Sequence, residues 1–310
     1  MRSLLFVPGD DERKLARAAA CGADSLILDL EDSVAPAMKA AARRRVAAYL
    51  DARGDRLPAP DSRAPAPDTR SPAPEARAQI CYVRVNSFDS PHHADDVAAM
   101  AGARPDGLML PKSEPEQVRR LCANLKSLEN EHHLPEGGIK ILAIATETAR
   151  AVFTLGSYAG TSSRLAGLAC GEEDLATALG MLNRNDVGGI FGVVRALCVL
   201  GAAAAGVPAF DGVYVDFRDA AGLRAECLRA RSQGFGGKLA IHPDQVPVIN
   251  DAFRPTAREC DWAARVAAAF RGNEDLGALS IDGRMVDRVH LTLAERILAR
   301  SGAYGTTQGE

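Results

Sequence analysis

Short apolar runs alternate with longer amphipathic segments along most of the chain. Eight runs are rich in Val, Ile and Leu and continuously apolar, which is typical of parallel strands covered on both faces. They lie at residues 4–7, 25–28, 80–85, 107–110, 140–145, 165–169, 209–215 and 238–241. Segments rich in Ala, Leu and Arg predict helices between them, at 12–20, 35–50, 115–129, 188–205 and 219–231. Eight β/α repeats within about 250 residues predict a TIM-type (β/α)8 barrel of the α/β class, with a doubly wound open sheet as the competing architecture.

Two segments fall outside this alternation. Residues 53–79 hold three near-copies of a seven-residue unit, which begin at Pro58, Pro65 and Pro72. Proline at alternate positions disfavours both helix and sheet, so we expect a Pro-rich extended loop inserted before the third strand. After the eighth run the chain continues through a predicted helix at 256–271, the segment 278–287 and a last helix at 291–300. We therefore divide the chain into a barrel at 1–250 and a C-terminal helical lid or oligomerisation extension at 251–310.

Composition and charge exclude several classes of protein. The 310 residues include 37 Lys and Arg against 40 Asp and Glu, so the net charge of -3 offers no broad basic surface for nucleic acid or for an anionic membrane. No apolar stretch approaches the roughly 20 residues that a membrane span needs. The seven cysteines are widely spaced without a CxxC pair, which argues against a disulfide framework and against a zinc site. We expect a soluble, cytoplasmic protein with reduced thiols.

Carboxylates follow two successive predicted strands. In a β/α barrel, catalytic groups lie just past the C-terminal strand ends, and Glu147 and Asp174 stand there after the fifth and sixth strands. Such a pair suits Mg²⁺, which binds one or two carboxylates and fills its remaining positions with water and substrate oxygens. Alternatively, each carboxylate stabilises the N-terminus of the helix that follows it. The spacing leaves both interpretations open.

A cation ends the third predicted strand. The guanidinium of Arg84 can bind the carboxylate of a substrate or an oxo-acid bidentately. It can equally form a structural ion pair with Asp29 or Glu31 after the second strand. The two roles are compatible, because a carboxylate that orients Arg84 also serves the site. The paired histidines at 92–93 and 132–133 lie in polar contexts, and we expect them at the surface.

The first strand leads into a helix through the segment PGDDERK at residues 8–14. Backbone N–H groups at a helix start, together with Arg13 and Lys14, can hold a phosphate group. The chain contains neither GxGxxG nor GxxxxGK[ST], so no dinucleotide fingerprint or P-loop is present.

Eight motifs in order carry a resemblance to a known family. They are RSLLFVPG at 2–9, LDLEDSV at 28–34 with Lys39, VRVN at 83–86, GLMLPK at 107–112, ETA at 147–149, GEEDL at 171–175, IHP at 241–243 and DGRMVD at 282–287. Together they resemble the citrate lyase β-subunit-like (CitE-like) proteins of the HpcH/HpaI aldolase superfamily, and only the insert and the final residues fall outside the likeness. The resemblance implies a TIM-type barrel that uses Mg²⁺ to cleave or form a carbon–carbon bond in a 3-hydroxyacyl-CoA thioester. Malyl-CoA, methylmalyl-CoA and citramalyl-CoA are the implied substrates, with acetyl- or acyl-CoA and glyoxylate or pyruvate as products.

The resemblance also assigns residues by matching motif. It implies that Glu147 and Asp174 bind the metal, that Arg84 holds the oxo-acid, and that Asp287 is the catalytic residue of a lid from an adjacent subunit. Asp282 is the second choice for that last role. Around these, the implied coenzyme A contacts are Gly9, Arg13 and Lys14, and the residues supporting Arg84 are Asp29, Glu31 and Asp32. A lid shared between copies implies a homotrimer or a homohexamer.

Three alternatives remain on sequence grounds. One is a citrate lyase β subunit that acts on a citryl acyl-carrier-protein thioester. Another is an aldolase for free hydroxy-oxo acids, although that branch is not expected to carry the tail motif. The third is a non-catalytic barrel that uses its Pro-rich insert for docking.

Overall fold

The computed structural model describes residues 1–53, 79–181, 189–271 and 277–304. Within it the chain divides into two compact units, Met1–Ile249 and Asn250–Glu310. The Pro-rich insert expected at 53–79 lies, apart from its two end residues, outside the described residues, as does the residue at which the helix predicted over 188–205 begins.

The first unit is a closed barrel of eight parallel strands. In chain order the strands are β1 (Ser3–Pro8), β2 (Ser25–Asp29), β3 (Ile80–Arg84), β4 (Gly107–Leu110), β5 (Lys140–Ile144), β6 (Leu165–Ala169), β7 (Ala209–Asp211) and β8 (Gly237–Ala240). Each strand pairs with the next, and β1 closes the sheet on β8 with Leu4 opposite Leu239. The barrel prediction is therefore confirmed, and the open sheet is excluded.

β7 is shorter than the apolar run at 209–215 suggests. It ends at Asp211, and the carbonyl oxygen of Tyr214 accepts a hydrogen bond from the Gln245 side chain at 2.8 Å instead of joining the ladder. Beyond the strand, Val213 lines a cavity.

The barrel interior is filled by alternate residues of the strands. Leu4, Ile27, Tyr82, Met109 and Phe210 belong to one buried cluster inside it. Because side chains alternate across a strand, Asp29 and Arg84 fall on the same inward face as Ile27 and Tyr82, two residues before them. The strand pattern thus delivers two charged groups to the C-terminal end of the barrel.

Helices cover the outside of this unit. They are α1 (Glu12–Ala18), α2 (Lys39–Ala52), α3 (His93–Ala103), α4 (Pro115–Glu131), α5 (Ala149–Val152), α6 (Glu173–Ala178), α7 (Ile190–Ala204), α8 (Ala220–Ser232) and α9 (Gln245–Ala252), with 3-10 turns at Pro36–Met38 and Leu155–Tyr158. Helix starts carry the expected signals. The α4 start has a capping box between Glu114 and Gln117 with Pro115 in the first turn, and Asp219 caps α8 through the Gly222 N–H at 2.9 Å.

Helix α3 corrects the surface assignment of one histidine. His93 opens α3, is only 7% exposed, and its Nδ1 lies 2.7 Å from the carbonyl oxygen of Asn86. Its ring packs on Phe88 with centroids 4.1 Å apart. The expectation for this residue was wrong because the polar context at 92–96 hides a helix whose other face packs on the barrel. His133 is exposed as expected.

A buried ion network links β7 and β8 to the helices outside them. The ammonium group of Lys238 donates to Asp211 at 2.8 Å and to Glu226 of α8 at 2.6 Å, and Arg195 of α7 also pairs with Asp211. Lys238 and Asp211 are fully buried. Removal of one partner would leave an uncompensated charge in the interior, so the network fixes these two helices against the sheet.

The second unit consists of helix α10 (Ala257–Phe270), a hairpin of β9 (Ala278–Ile281) and β10 (Arg284–Asp287), and helix α11 (Arg288–Tyr304). Its own small core contains Val266, Phe270, Val286 and Ala294. The extension is thus not purely helical. None of the helices in the described ranges combines the length and the apolar character that a membrane span requires.

Candidate active site

A cavity of about 420 Å³ opens at the C-terminal ends of the barrel strands. Five of the residues chosen from the sequence line it: Asp29, Asp32, Arg84, Glu147 and Asp174. Phe6, Ile144 and Leu239 form part of its apolar wall. The fold therefore brings together, from four different strand ends, the charged groups that stand far apart in the sequence.

Arg84 is held by carboxylates on one side. Its Nε and Nη2 each lie 2.7 Å from an oxygen of Asp29, and its Nη1 is 3.2 Å from both Asp32 and Glu31. The guanidinium carbon lies 4.8 Å from the centre of the Phe6 ring. Burial opposes the charge, but the hydrogen bonds and the charge of Asp29 outweigh it and raise the pKa of Arg84.

Arg84 can therefore form a structural ion pair and still contact a substrate. The ion pair with Asp29 is formed, and Asp29 is itself fixed by the backbone N–H groups of Glu31 at 2.9 Å and Ser33 at 3.1 Å. Burial acts to raise the pKa of Asp29, yet the hydrogen bonds from Arg84 hold it below its usual value. Arg84 also lines the cavity, and a guanidinium carries five N–H donors, so the pair with Asp29 does not use all of its hydrogen-bonding capacity.

Glu147 follows β5 and is 4% exposed. Its Oε2 accepts the backbone N–H of Lys112, and a Cβ at position 171 would lie 2.3 Å from its Cγ, so only glycine fits there. Burial raises the pKa of the Glu147 carboxyl to about 8. The helix-cap alternative for Glu147 is wrong, because the residue that caps α5 is Thr148.

Thr146 connects the two strand ends that carry the carboxylates. Its hydroxyl accepts the N–H of Gly171 at 2.8 Å and lies 3.3 Å from the carbonyl oxygen of the same residue. The threonine is fully buried. This clamp fixes the start of the loop that leads to Asp174 relative to Glu147.

Lys112 lies between the carboxylates of the site, and no role was predicted for it from the sequence. Its ammonium nitrogen lies 3.0 Å from Glu31 Oε1 and 3.7 Å from Asp174 Oδ2. Burial opposes its charge, but Glu147 and Glu31 outweigh it and raise its pKa. The backbone of Lys112 is left-handed, with φ of 49°, which turns the chain so that its N–H reaches Glu147. The feature of the sequence that could have identified Lys112 is its position directly after a predicted strand.

Glu31 lies behind the cavity wall between Arg84 and Lys112. It is 6% exposed, and burial raises the pKa of its carboxyl. Its Oε2 is buried without a hydrogen-bond partner among the described residues, although Arg84 Nη1 lies 3.2 Å away. Glu31 thus couples the two cations of the site through charge.

The donor set fits a hard divalent cation. Glu147 is a buried carboxylate, which a cation neutralises in the way that a proton does, and Asp174 lines the same cavity with a side chain that is 39% exposed. No cluster of three or more His, Cys, Asp or Glu arranged for a metal occurs in the described part of the chain. Two carboxylates with water and substrate oxygens are what Mg²⁺ commonly accepts.

The proposed phosphate contacts at the first strand need a correction. Asp11 caps α1, and its Oδ1 accepts the N–H groups of Arg13 at 3.0 Å and Lys14 at 3.1 Å. These backbone donors are occupied, so a phosphate group is left with the exposed side chains. Gly9 has a packing reason of its own, because a Cβ there would lie 2.7 Å from the carbonyl oxygen of Asp29.

The tail residues belong to the second unit. Asp287 precedes α11, and its Oδ1 accepts the N–H groups of Val289 at 3.0 Å and His290 at 3.2 Å. A hydrogen bond from His290 lowers the pKa of Asp287. Asp282 instead occupies the hairpin turn with φ of 51° and pairs with Arg265 at 2.8 Å.

Two further groups near the strand ends had no assigned role. Glu172 lines the cavity and lies 3.4 Å from Arg195, which connects the cavity to the ion network behind β7. His242, from the IHP motif, stacks on Phe217 with centroids 4.7 Å apart and borders a different cavity of about 540 Å³.

Comparison with known proteins adds independent findings. A family model described as HpcH/HpaI aldolase/citrate lyase matches residues 2–54 and 62–243. A (3S)-malyl-CoA thioesterase of Cereibacter sphaeroides is 34% identical over 304 residues, covering 97% of this chain and 95% of that protein. The mitochondrial citramalyl-CoA lyase of Rattus norvegicus is 31% identical, and the match covers 96% of this chain and 85% of that protein.

A solved structure gives the same result for the fold. The CitE protein of Mycobacterium tuberculosis, in complex with magnesium, acetoacetate and coenzyme A, superposes with a TM-score of 0.71 and 33% identity. The match covers 97% of this chain and 98% of that one.

Proposed function

Because the chain belongs to the HpcH/HpaI aldolase/citrate lyase family, we propose that it is a Mg²⁺-dependent carbon–carbon lyase for 3-hydroxyacyl-CoA thioesters. It cleaves or forms thioesters of the malyl-CoA, methylmalyl-CoA or citramalyl-CoA type. The observation that carries the proposal is the single cavity in which Arg84, Glu147 and Asp174 meet.

Glu147 and Asp174 are the residues that would hold the metal. When bound, Mg²⁺ supplies a Lewis acid that polarises the oxygens of the oxo-acid part of the substrate. Lys112 keeps Glu147 in place through its N–H, and Thr146 fixes the loop that carries Asp174.

Arg84 is proposed to bind the carboxylate of the oxo-acid. Asp29 holds two of its nitrogens, so the guanidinium is oriented before the substrate arrives. The fixed positive charge of Arg84 offsets the charge of the oxo-acid carboxylate and, in the condensation direction, stabilises the alkoxide that forms next to it.

Asp287 is proposed as the acid–base residue for the acyl-CoA carbon. Its hydrogen bond with His290 lowers its pKa, so the carboxylate is ionised at neutral pH. In the condensation direction it takes a proton from the methyl carbon, and in cleavage it returns one. The turn position and the ion pair of Asp282 favour Asp287 over it. We propose that the extension at 251–310 acts as a lid of a neighbouring copy, in a homotrimer or homohexamer.

The side chains of Arg13 and Lys14 are proposed contacts for the phosphates of coenzyme A, with Gly9 beside them.

All seven cysteines are unpaired, which supports a reducing compartment such as the cytoplasm.

The test is a panel of malyl-, methylmalyl- and citramalyl-CoA, assayed for oxo-acid release with Mg²⁺ and then with EDTA. We expect release of glyoxylate or pyruvate that EDTA abolishes and that a folded Glu147→Gln variant lacks. The same assay monitors free coenzyme A, because a thioesterase would release that thiol without an oxo-acid. Silence across the panel, or full activity in Glu147→Gln, would contradict the proposal; turnover of a citryl carrier-protein thioester alone would favour the citrate lyase alternative.

A further inference from the structure

The carboxylate of Asp287 is held by a histidine one helical turn along the chain. His290 Nδ1 lies 2.6 Å from Asp287 Oδ1, and the two side chains are 41% and 36% exposed. The backbone N–H groups of Val289 and His290 reach the same oxygen. All three contacts converge on Oδ1 of Asp287.

The geometry decides which nitrogen of His290 carries a proton. Nδ1 also lies 3.2 Å from the backbone nitrogen of Asp287, and it would accept that N–H only if it were unprotonated. An unprotonated Nδ1 would place two lone pairs against each other across 2.6 Å, which is repulsive when Asp287 is ionised. The shorter contact therefore requires a proton on Nδ1, and His290 donates to the carboxylate.

This contact differentiates the two oxygens of the carboxylate. Oδ1 accepts three donors, so its lone pairs are engaged, whereas none of these contacts involves Oδ2. Rotation of the carboxylate would break the short bond to His290 and both backbone contacts. A proton arriving at Asp287 is therefore directed to Oδ2.

We propose that His290 is a positioning residue for the carbon–carbon lyase reaction, because it locks Oδ1 of Asp287 and presents Oδ2 as the oxygen that exchanges a proton with the acyl-CoA carbon. The proposal rests on the acid–base role proposed above for Asp287. It extends that role to a residue outside the DGRMVD motif.

A purely structural role makes a different prediction. Asp287 stands at the N-cap of α11 and His290 at the third helical position, where a side chain commonly caps the start of a helix. If His290 only capped the helix, its loss would lower stability, and turnover per folded protein would not change.

The experiment compares His290→Ala, His290→Asn and the control Thr292→Ala, whose exposed side chain lies on the same helix. The side-chain amide of Asn can replace the Nδ1–H donor. Two activities are measured: exchange of acetyl-CoA methyl protons in D₂O with pyruvate and Mg²⁺ present, and steady-state kcat and KM. The melting temperature of each variant is recorded beside them.

We expect His290→Ala to lower kcat and methyl exchange by about 10- to 100-fold, because a misplacement of about 1 Å at a reacting group can cost about 100-fold, with KM values within about twofold. His290→Asn should recover most of both rates, and Thr292→Ala should match the wild type.

The outcomes separate this inference from the function on which it rests. Wild-type kcat in His290→Ala, with Asp287→Asn inactive, would overturn the inference alone. Equal loss in His290→Ala and His290→Asn, in proportion to unfolding, would reduce His290 to a helix cap and also overturn it. Undiminished methyl exchange in Asp287→Asn would instead refute the acid–base role of Asp287.

Discussion

Arg84 shows how one side chain serves both the fold and the substrate. Its planar guanidinium makes two parallel bonds to Asp29, and a lysine, which is a point charge, cannot reproduce them. We expect Arg84→Lys to lower kcat/KM for the oxo-acid by about 100-fold, because one charged hydrogen bond and its orientation are lost.

The same change should lower the free energy of unfolding by about 1–3 kcal/mol, since Asp29 loses a hydrogen-bond partner in a buried place. Urea unfolding and condensation kinetics at varied oxo-acid concentration measure the two effects. If KM for the oxo-acid and kcat both stayed at wild-type values, Arg84 would be only part of the structure.

Gly171 offers a test of the metal site that leaves both carboxylates in place. A Cβ at 171 would lie 2.3 Å from Glu147 Cγ, so Gly171→Ala must displace the Glu147 side chain. We expect weaker Mg²⁺ binding by about 10-fold or more, as when a neighbour that orients a metal ligand is changed.

The matched control is Gly212→Ala, where the nearest atom to the added Cβ is 3.4 Å away, in ordinary contact. Titration of Mg²⁺, followed by calorimetry or by the shift in melting temperature, gives both dissociation constants. Equal Mg²⁺ affinities in the two variants would show that Glu147 is not a metal ligand.

Individual site residues could be predicted from the sequence where their position on a strand decides which side of the barrel they reach. Glu147, Asp174 and Arg84 reach one cavity because strand ends converge at one end of a barrel. The roles of Thr146 and Lys112 could not be predicted, since each depends on a contact with a strand end far along the chain. The hydrogen bonds from the Arg13 and Lys14 N–H groups to Asp11 could have been predicted, because aspartate is a common N-cap and accepts the N–H groups two and three residues after it.

At the scale of elements, Glu129 near the end of α4 ties that helix to the start of β5. The carboxylate accepts the N–H groups of Gly137 and Ile139, both at 2.9 Å, and it pairs with Arg164 through two bonds. The residue is fully buried. Burial acts to raise the pKa of Glu129, but the bonds from Arg164 and from the backbone outweigh it and lower the pKa.

Because the pKa of Glu129 is lower in the folded protein than in the unfolded chain, the free energy of unfolding should fall as the solution becomes more acidic. The contribution of Glu129 is fully present above the pKa of the unfolded chain and is lost as pH falls through the lower folded-state pKa, so it should decline as the pH falls below the ordinary glutamate range. Glu129→Gln should cost about 3 kcal/mol at pH 7 and depend less steeply on pH over that window.

Urea unfolding at several pH values measures both quantities, and specific activity per folded protein serves as the control because Glu129 lies outside the cavity. Parallel pH curves for variant and wild type would contradict the pairing.

The hairpin of the second unit had a signal in the sequence that the helical expectation passed over. Asp282 and Gly283 have φ of 51° and 74°, which is the two-residue turn that joins antiparallel strands with the usual twist. An Asp-Gly pair between Leu279, Ile281 and Val286 is a strong predictor of this hairpin. Helix α3 was harder to predict, because its first turn contains His, Asp and Asp and its apolar positions are mostly alanine.

At the scale of the molecule, periodicity predicted eight parallel strands, and closure was a separate question. Open and closed sheets share the same apolar runs, and what distinguishes them is whether β1 pairs with β8. Lys238 lies opposite Ser3 in this closing register, and its backbone N–H donates to the carbonyl oxygen of Arg2 at 2.7 Å. Its buried ammonium group bonds Asp211 and Glu226, which ties β8 to β7 and α8 and which the apolar pattern does not predict.

The division of the chain into two units makes the proposed lid testable by complementation. Glu147→Gln should inactivate the barrel and leave the extension intact, and Asp287→Asn should do the reverse. If the extension of one copy serves the barrel of another, co-expressed variants can form sites with an intact barrel and an intact lid. Random mixing in a head-to-tail ring would restore about a quarter of wild-type turnover, because each half is intact with a probability of about one half.

Each variant alone should stay inactive, and co-expressed Glu147→Gln with wild type calibrates the mixing. A second mixture combines wild type with the double variant, which carries both changes in one chain. Half of the barrels and half of the lids are again intact, so a lid shared between copies should again restore about a quarter of wild-type turnover. A lid that serves its own barrel would leave the mixed single variants inactive, while the double variant mixed with wild type would retain about half of the sites. The ratio between these two mixtures thus decides between a shared and a private lid without knowledge of the oligomer's size.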